Sequence, residues 1–184
     1  MKVIAVVLLI VSSSAAFTIK GSGCPSPYPP TKGFDVNKYL GNWYEIERSQ
    51  TPHEDGVRCN TANYVLNSVG GINITNSGID NTGHETAIAL VASQVRADIP
   101  NYFSVILAPQ LPPATYWIVD TDYENYSAVA CCYQITQDVQ IFLGYVLSRE
   151  RTIDSSVRSA LEKTLYDIGV NQMYETDQTN CDSM

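Results

Sequence analysis

The chain has 184 residues, of which 45% are apolar and 16% are charged, and its 19 acidic and 11 basic residues give a formal charge of −8. A length of this order predicts one globular domain. The acidic balance excludes nucleic acid as an expected partner, because binding to phosphates needs a basic surface. The longest apolar run covers residues 3–11. A transmembrane helix needs about 20 apolar residues, so we expect no integral association with a membrane.

The N-terminal residues have the pattern of a secretory signal peptide. Lys2 precedes the apolar run, and the small residues 12–16 follow it. We expect residues 1–16 to be removed after Ala16, which makes the protein secreted and extracellular. The alternative is that residues 3–11 form a buried β-strand. In an oxidising compartment the five cysteines should pair and leave one thiol over. The sequence also predicts N-glycosylation at Asn73 and Asn125, which open Asn-x-Ser/Thr sequons.

The predicted elements begin after a proline-rich tail, which covers residues 17–40. Short segments rich in Val, Ile, Tyr and Thr then alternate with turn residues, which predicts an antiparallel meander. One helix is predicted over residues 154–168, with Asp154 as its N-cap and Gly169 at its end. A C-terminal tail covers residues 169–184, so residues 17–184 form one domain. The eight predicted strands cover residues 43–48, 60–66, 72–76, 85–95, 102–108, 115–121, 127–135 and 139–148.

Eight antiparallel strands can form either an open sandwich or a closed barrel. Closure removes exposed strand edges altogether, and a barrel of eight strands can hold one small ligand. Composition does not distinguish the sandwich from the barrel, so the choice between them rests on sequence motifs.

Three short motifs resemble those of the lipocalins. They are Gly41-x-Trp43, the segment 121–126 (Thr-Asp-Tyr-Glu-Asn-Tyr), and Arg149 after the last predicted strand. The resemblance covers nearly all of the predicted mature chain. It is greatest to the branch that contains apolipoprotein D, bilin-binding proteins and crustacyanins, which the segments 59–64, 116–118 and 176–181 support.

The resemblance implies an all-β fold, an eight-stranded up-and-down antiparallel barrel over residues 41–149 with the C-terminal helix packed outside. It also implies that Trp43 closes the barrel floor and that Arg149 lies across it. The disulfides implied are Cys24–Cys132 and Cys59–Cys181, although Cys131 sits beside Cys132 and could take Cys24 instead. The residues with implied structural roles are Gly41, Trp43, Thr121, Asp122, Tyr123 and Arg149.

Strand alternation then predicts which side chains face the cavity. A strand cysteine that is bonded to a tail outside the barrel must point outward, and successive side chains alternate faces. Arg149 must turn inward to reach Trp43, which sets the last strand. The same rule puts Glu45 on the face of Trp43, paired with Glu47. The predicted ligand-binding residues are Asn60, Ala62, Tyr64, Leu66, Tyr116, Ile118, Ser127, Val129, Cys131, Tyr133, Ile141, Leu143, Tyr145 and Leu147. The alternative is that these side chains simply fill the barrel.

The sequence offers few candidate residues for a catalytic site or a metal site. His53 and His84 are the only histidines, too few for a histidine-based zinc site. We interpret both as surface residues, although His84 could in principle bind haem. The acid pairs Glu45/Glu47 and Asp120/Asp122 are interpreted as solvated carboxylates. We therefore predict no catalytic residue, no metal and no enzyme activity.

The expected function is that of a secreted carrier of a small hydrophobic ligand such as a lipid, carotenoid or bilin, for transport, storage or coloration. No cofactor is required, although biliverdin or a carotenoid could be bound as a pigment. With no basic residue placed inside except Arg149, a neutral or lipid-like ligand is favoured. The alternatives are a protein-binding or signalling lipocalin and an isomerase that uses Cys131, as in lipocalin-type prostaglandin D synthase. An outward Cys131 would instead form an intermolecular disulfide in a homo-oligomer.

Overall fold

The computed structural model describes residues 23–26, 33–51, 54–106 and 112–181. The predicted signal peptide, His53 and residues 17–22 and 27–32 of the proline-rich tail lie outside these ranges, and the domain limits stay predictions. A short helix, α1 (Val36–Tyr39), precedes the sheet. The strands are β1 (Gly41–Arg48), β2 (Arg58–Leu66), β3 (Ile72–Ile79), β4 (Glu85–Gln94), β5 (Tyr102–Ile106), β6 (Ala114–Thr121), β7 (Tyr126–Gln134) and β8 (Gln140–Ser148).

The eight strands form a closed antiparallel barrel. Each strand pairs with the next, and β1 pairs with both β8 and β2, which closes the sheet. The prediction of a closed barrel is therefore confirmed, and the open sandwich is wrong. A two-residue strand that the sequence did not predict, β9 (Tyr174–Glu175), pairs with Glu47 and Arg48 at the end of β1.

The predicted helix packs outside the barrel as α2 (Ser155–Asp167). Its N-cap is Asp154, whose side chain accepts hydrogen bonds from the backbone of Ser156 and Val157. Leu161 and Leu165 are buried against the outward side chains of β6, β7 and β8. Both faces of β7 are consequently buried, since one faces the interior and the other faces α2.

Two disulfides join the tails to the barrel wall. The structure contains Cys24–Cys132 and Cys59–Cys181, the pairs that the resemblance implied. Cys131 is left as a free, buried thiol. Cys132 faces outward in the cluster under α2, whereas Cys131 packs with Leu143 on the opposite face of β7. The alternation inferred from the disulfides therefore holds on β7, and Cys131 is not available for an intermolecular disulfide.

The closed end of the barrel is sealed by Trp43 and Arg149. Trp43 is fully buried, and the guanidinium carbon of Arg149 lies 3.7 Å from the centre of its ring. The guanidinium also donates hydrogen bonds to the carbonyls of Asn42 (2.7 Å), Leu40 (3.0 Å) and Tyr123 (3.0 Å). Arg149 thereby ties residues 40–42 and the turn at Tyr123 to one floor.

The other motif residues shape the turns around this floor. Gly41 has a φ of +93°, which a residue with a side chain rarely adopts. Asp122 accepts hydrogen bonds from the backbone amides of Glu124, Asn125 and Tyr126. The hydroxyl of Thr121 donates to the carbonyl of Tyr126 and accepts from the amide of Tyr123. These residues have structural roles, as the resemblance implied.

Replacing Arg149 with methionine should reduce the free energy of unfolding by at least about 3 kcal/mol, because hydrogen bonds to charged groups contribute about 1.5–3 kcal/mol each when buried, less where they are exposed, and the cation–π contact adds about 0.5–2 kcal/mol. Urea unfolding followed by tryptophan fluorescence measures this. The control is Arg96→Met, which removes an exposed ion pair with Asp98 and should change the free energy by less than about 0.5 kcal/mol. Equal losses in the two variants would contradict the role assigned to Arg149.

Candidate functional site

A cavity of ≈ 90 Å³ lies inside the barrel above the floor. Its wall comes mainly from β2, β3 and β4 on one side and from β6, β7 and β8 on the other. A second depression, of ≈ 230 Å³, lies where Phe34 and Val36 of the N-terminal segment meet Gly70 and Phe103. The residues that line the inner cavity are Glu45, Glu54, Val57, Asn60, Thr61, Ala62, Tyr64, Ile74, Asn76, Ser77, Thr86, Ala87, Ile88, Leu90, Val105, Tyr116, Cys131, Tyr133, Tyr145 and Leu147.

The structure brings together only part of the predicted ligand-binding set. The eight predicted residues that line the cavity are Asn60, Ala62, Tyr64, Tyr116, Cys131, Tyr133, Tyr145 and Leu147. Whether any of them contacts a ligand stays a prediction. The other six predicted residues are not part of the lining. Strand alternation predicts which face of a strand a side chain occupies, but it does not predict how far along the barrel axis that side chain lies.

Most of these six residues fill the barrel with their own side chains. Ile118 and Val129 are buried in the core that surrounds Trp43. The hydroxyl of Ser127 is hydrogen-bonded to that of Tyr39 (2.9 Å). Leu143 and Ile141 pack in the cluster that contains Cys131. The alternative of ordinary core packing therefore applies to this part of the set.

Leu66 is not part of the interior at all, since 41% of its surface is exposed. Strand β1 begins at Gly41, which pairs with Tyr64. Leu66 lies two residues beyond that pair, where β1 no longer provides a neighbour. Its assignment to the cavity was wrong for this reason.

Glu45 and Glu47 face opposite sides of the barrel wall. The pairing of β1 with β8 shifts between these two residues, which marks a β-bulge. Glu45 consequently lines the cavity, whereas Glu47 faces outward and pairs with Arg158 of α2. The predicted pair of solvated acids on one face was wrong, because alternation fails across a bulge and both carboxylates are buried.

Glu54 is a second acid in the cavity, which the sequence analysis missed. It lies in the β1–β2 loop, is 7% exposed, and its carboxylate accepts a hydrogen bond from Thr51 (2.6 Å). Glu45 accepts hydrogen bonds from Arg48 (2.6 Å) and Thr176 (2.7 Å). Burial, with the charge of Glu54 added, raises the pKa of Glu45 to about 7. Burial also raises the pKa of Glu54.

Tyrosines supply the remaining polar groups of the deeper cavity. The hydroxyls of Tyr64 and Tyr116 are 2.6 Å apart and share a hydrogen bond. Burial raises the pKa of Tyr64 to about 12 and that of Tyr145 above its ordinary value. These phenols are therefore neutral at physiological pH, so the deeper cavity offers aromatic faces and hydroxyl groups.

The thiol of Cys131 is poorly suited to nucleophilic chemistry. Burial raises its pKa to about 12, an effect that a hydrogen bond with Tyr133 only partly opposes. The thiolate is the reactive form of cysteine, so it is scarce at neutral pH. The lining contains no basic side chain among the described residues that would stabilise it.

The remaining polar candidates lie away from the cavity. The Nδ1 atom of His84 is hydrogen-bonded to the hydroxyl of Thr82 in the exposed β3–β4 turn. No group of three His, Cys, Asp or Glu side chains within the described ranges could hold a metal ion. Asn73 is exposed on β3, and the side chain of Asn125 donates to Asp122 (2.7 Å). Glycosylation of these asparagines stays a prediction.

Comparisons with known proteins agree with this architecture. A family model described as a lipocalin-like domain matches residues 34–178. Apolipoprotein D of Macaca fascicularis is 38% identical over 160 residues, which are 86% of this chain and 84% of the relative. The Lazarillo protein of Schistocerca americana is 32% identical over 183 residues, which are 95% and 82% of the two chains.

Solved structures show the same fold at lower identity. Apocrustacyanin C1 has a TM-score of 0.73 at 19% identity, with 90% of this chain and 94% of that chain covered. Insecticyanin of Manduca sexta has a TM-score of 0.71 at 17% identity, with coverage of 90% and 91%. Within the described residues, no helix is long and apolar enough to cross a membrane.

The raised pKa of Glu45 predicts how stability depends on pH. Glutamate titrates near 4.3 in an unfolded chain, so between that pH and about 7 the folded protein binds more protons. The free energy of unfolding should therefore fall as the pH rises through this window and level off above it. We expect Glu45→Gln to show a smaller fall between pH 5 and pH 8 than the unmodified protein, measured by urea unfolding. The exposed variant Glu124→Gln serves as the control, and an unchanged fall in Glu45→Gln would contradict the assignment.

The raised pKa of Cys131 predicts slow alkylation. At pH 8, iodoacetamide should modify Cys131 more than about a hundredfold more slowly in the folded protein than in urea, because each unit by which the pKa rises lowers the thiolate fraction about tenfold. Mass spectrometry of timed samples measures the rate. The four disulfide-bonded cysteines are the internal control and should stay unmodified without reductant. Comparable rates in the two states would refute the burial of the thiol.

Proposed function

The chain belongs to the lipocalin family, and from this premise we propose that it is a secreted carrier that holds a small hydrophobic ligand inside its barrel. The observation that carries the proposal is an internal cavity, closed at one end by Trp43 and Arg149 and lined largely by aliphatic and tyrosine side chains. Burial of apolar ligand surface contributes roughly 25 cal/mol per Å². The neutral tyrosine hydroxyls can satisfy the polar groups of such a ligand.

The size of the cavity restricts the ligand. Pockets for drug-sized molecules usually enclose about 300–1,000 Å³, whereas this cavity measures ≈ 90 Å³. Tyr64, Tyr116 and Tyr145 project bulky side chains onto its lining. We therefore expect the ligand either to be small or to enter by turning these side chains aside.

Sequestration is a better account of the site than catalysis. The isomerase alternative needs a reactive Cys131 thiolate, and burial raises the pKa of that thiol to about 12. Secretion is supported by the two disulfides, which persist in oxidising compartments, and by the relatedness to apolipoprotein D and Lazarillo. Cleavage after Ala16 remains part of the proposal, and a carotenoid or biliverdin is the alternative ligand.

The native ligand can be identified directly. Protein purified from its source should release a small hydrophobic compound into organic solvent, to be weighed by mass spectrometry. A visible absorbance band that survives dialysis would identify a pigment. Protein from the source that contains no extractable compound and binds no lipophilic probe would contradict the carrier function.

Partial closure of the cavity entrance should weaken ligand binding. Thr86 lies on β4 among the residues that line the cavity and is exposed. We expect Thr86→Trp to weaken binding of the neutral probe N-phenyl-1-naphthylamine about tenfold, or about 1.4 kcal/mol, in a fluorescence titration. The matched control is Ala89→Trp, an exposed position of the same strand that does not line the cavity. Equal effects of the two tryptophans would show that the probe binds elsewhere.

A further inference from the structure

The cavity combines an apolar lining with two buried carboxyl groups. Glu45 is 6% exposed and Glu54 is 7% exposed, and both line the space that a ligand would occupy. They come from different elements, since Glu45 belongs to β1 and Glu54 to the loop that follows it. Burial of two acids is costly, and a carrier of purely apolar molecules does not require them.

The described part of the lining contains no lysine, arginine or histidine. Arg48 does not belong to the lining, but its guanidinium forms an ion pair with the Oε1 atom of Glu45 (2.6 Å) from behind it and so compensates part of the acidic charge. A ligand carboxylate would therefore meet two acidic side chains and no cation on the cavity wall. The same wall favours a ligand that brings hydrogen-bond donors or positive charge.

Asn76 adds an independent hydrogen-bond acceptor. Its side chain lines the cavity from β3, and its Oδ1 atom is shielded from solvent and accepts no hydrogen bond from the described residues. A buried acceptor without a partner destabilises the protein. A donor on the ligand would remove this cost.

Aromatic rings complete the surroundings of the acids. Tyr64, Tyr116, Tyr133 and Tyr145 all line the cavity. The faces of aromatic rings attract cations, and the tyrosine oxygens can accept hydrogen bonds. The net charge of −8 should also draw cations toward the protein.

We propose that the cavity selects an apolar molecule that carries a protonated amino group, which Glu45, Glu54 and Asn76 accept. This inference rests on the proposed carrier function and names the chemical class of its ligand. An ammonium group supplies three donors, and its hydrogen bonds to carboxylates are roughly twice as strong as those between neutral groups. An alcohol of the same skeleton offers one donor and no charge, whereas a carboxylate is repelled. Burial raises the pKa of both acids, and a bound cation would favour their ionised forms.

Three ligands with closely similar skeletons and different charges test the proposal. We would titrate the full-length protein at pH 8 by calorimetry with 2-phenylethylamine, 2-phenylethanol and 3-phenylpropionate. The amine should bind at least about tenfold more tightly than the alcohol, equal to about 1.4 kcal/mol. The propionate should bind more weakly than the alcohol.

Variants assign the preference to the named residues. Glu45→Gln and Glu54→Gln should each reduce the preference for the amine over the alcohol to below about threefold. Glu47→Gln is the matched control, because Glu47 is also a buried acid of β1 but faces Arg158 outside the cavity. It should leave the preference unchanged. Circular dichroism checks that each variant is folded. If a variant is unfolded, the titration of the unmodified protein with the three ligands still tests the proposal.

Each outcome has a distinct meaning. Equal binding of the amine and the alcohol, or strongest binding of the propionate, would overturn this inference and leave the carrier function standing. An amine preference that survives in both glutamine variants would overturn the assignment to Glu45 and Glu54. If neither the three ligands nor N-phenyl-1-naphthylamine binds, both proposals fail.

Discussion

The barrel depends on the contact between Arg149 and Trp43. A closed sheet has no edges, but its ends remain open unless side chains cover them, and an open floor would admit water into the apolar interior. Arg149 covers Trp43 and simultaneously satisfies carbonyl groups from two different segments, residues 40–42 and Tyr123. The guanidinium stays charged and presents five donors in one plane. A single side chain can therefore cover the ring of Trp43 and donate to several carbonyls at once.

The C-terminal segment completes the barrel wall beside β1 and β2. Strands β1 and β2 pair only over residues 41–44 of β1, and both carry bulges beyond that point. The C-terminal segment fills the resulting gap. The amide of Cys59 donates to the carbonyl of Asp177, and Gln178 donates to the carbonyls of Glu45 and Asn60. The disulfide Cys59–Cys181 holds this segment in place, so one cross-link also serves the geometry of the ligand site.

The β-bulge between Glu45 and Glu47 gives these two residues of β1 different roles. Burial is the largest cause that raises the pKa of each to about 7, yet one faces the cavity and the other faces α2. Glu47 anchors the helix through Arg158, whereas Glu45 gives the interior an acidic group. The chemical character of the cavity therefore depends on a bulge as much as on composition.

The sequence by itself determined the eight strands and the helix, because hydrophobic alternation and turn residues are local properties of the chain. The outward Cys132 and the inward Tyr64 and Tyr145 followed from alternation only after the resemblance had supplied the disulfides and the contact of Arg149. The motifs also indicated the contact between Trp43 and Arg149. Only the tertiary structure decided that Leu66 lies beyond the end of β1, that Ile118 and Val129 fill the floor, and that a loop brings Glu54 into the cavity. The height of a residue along a barrel and the position of a bulge depend on how neighbouring strands are staggered, and that relation between distant segments has no counterpart in the local pattern of residues.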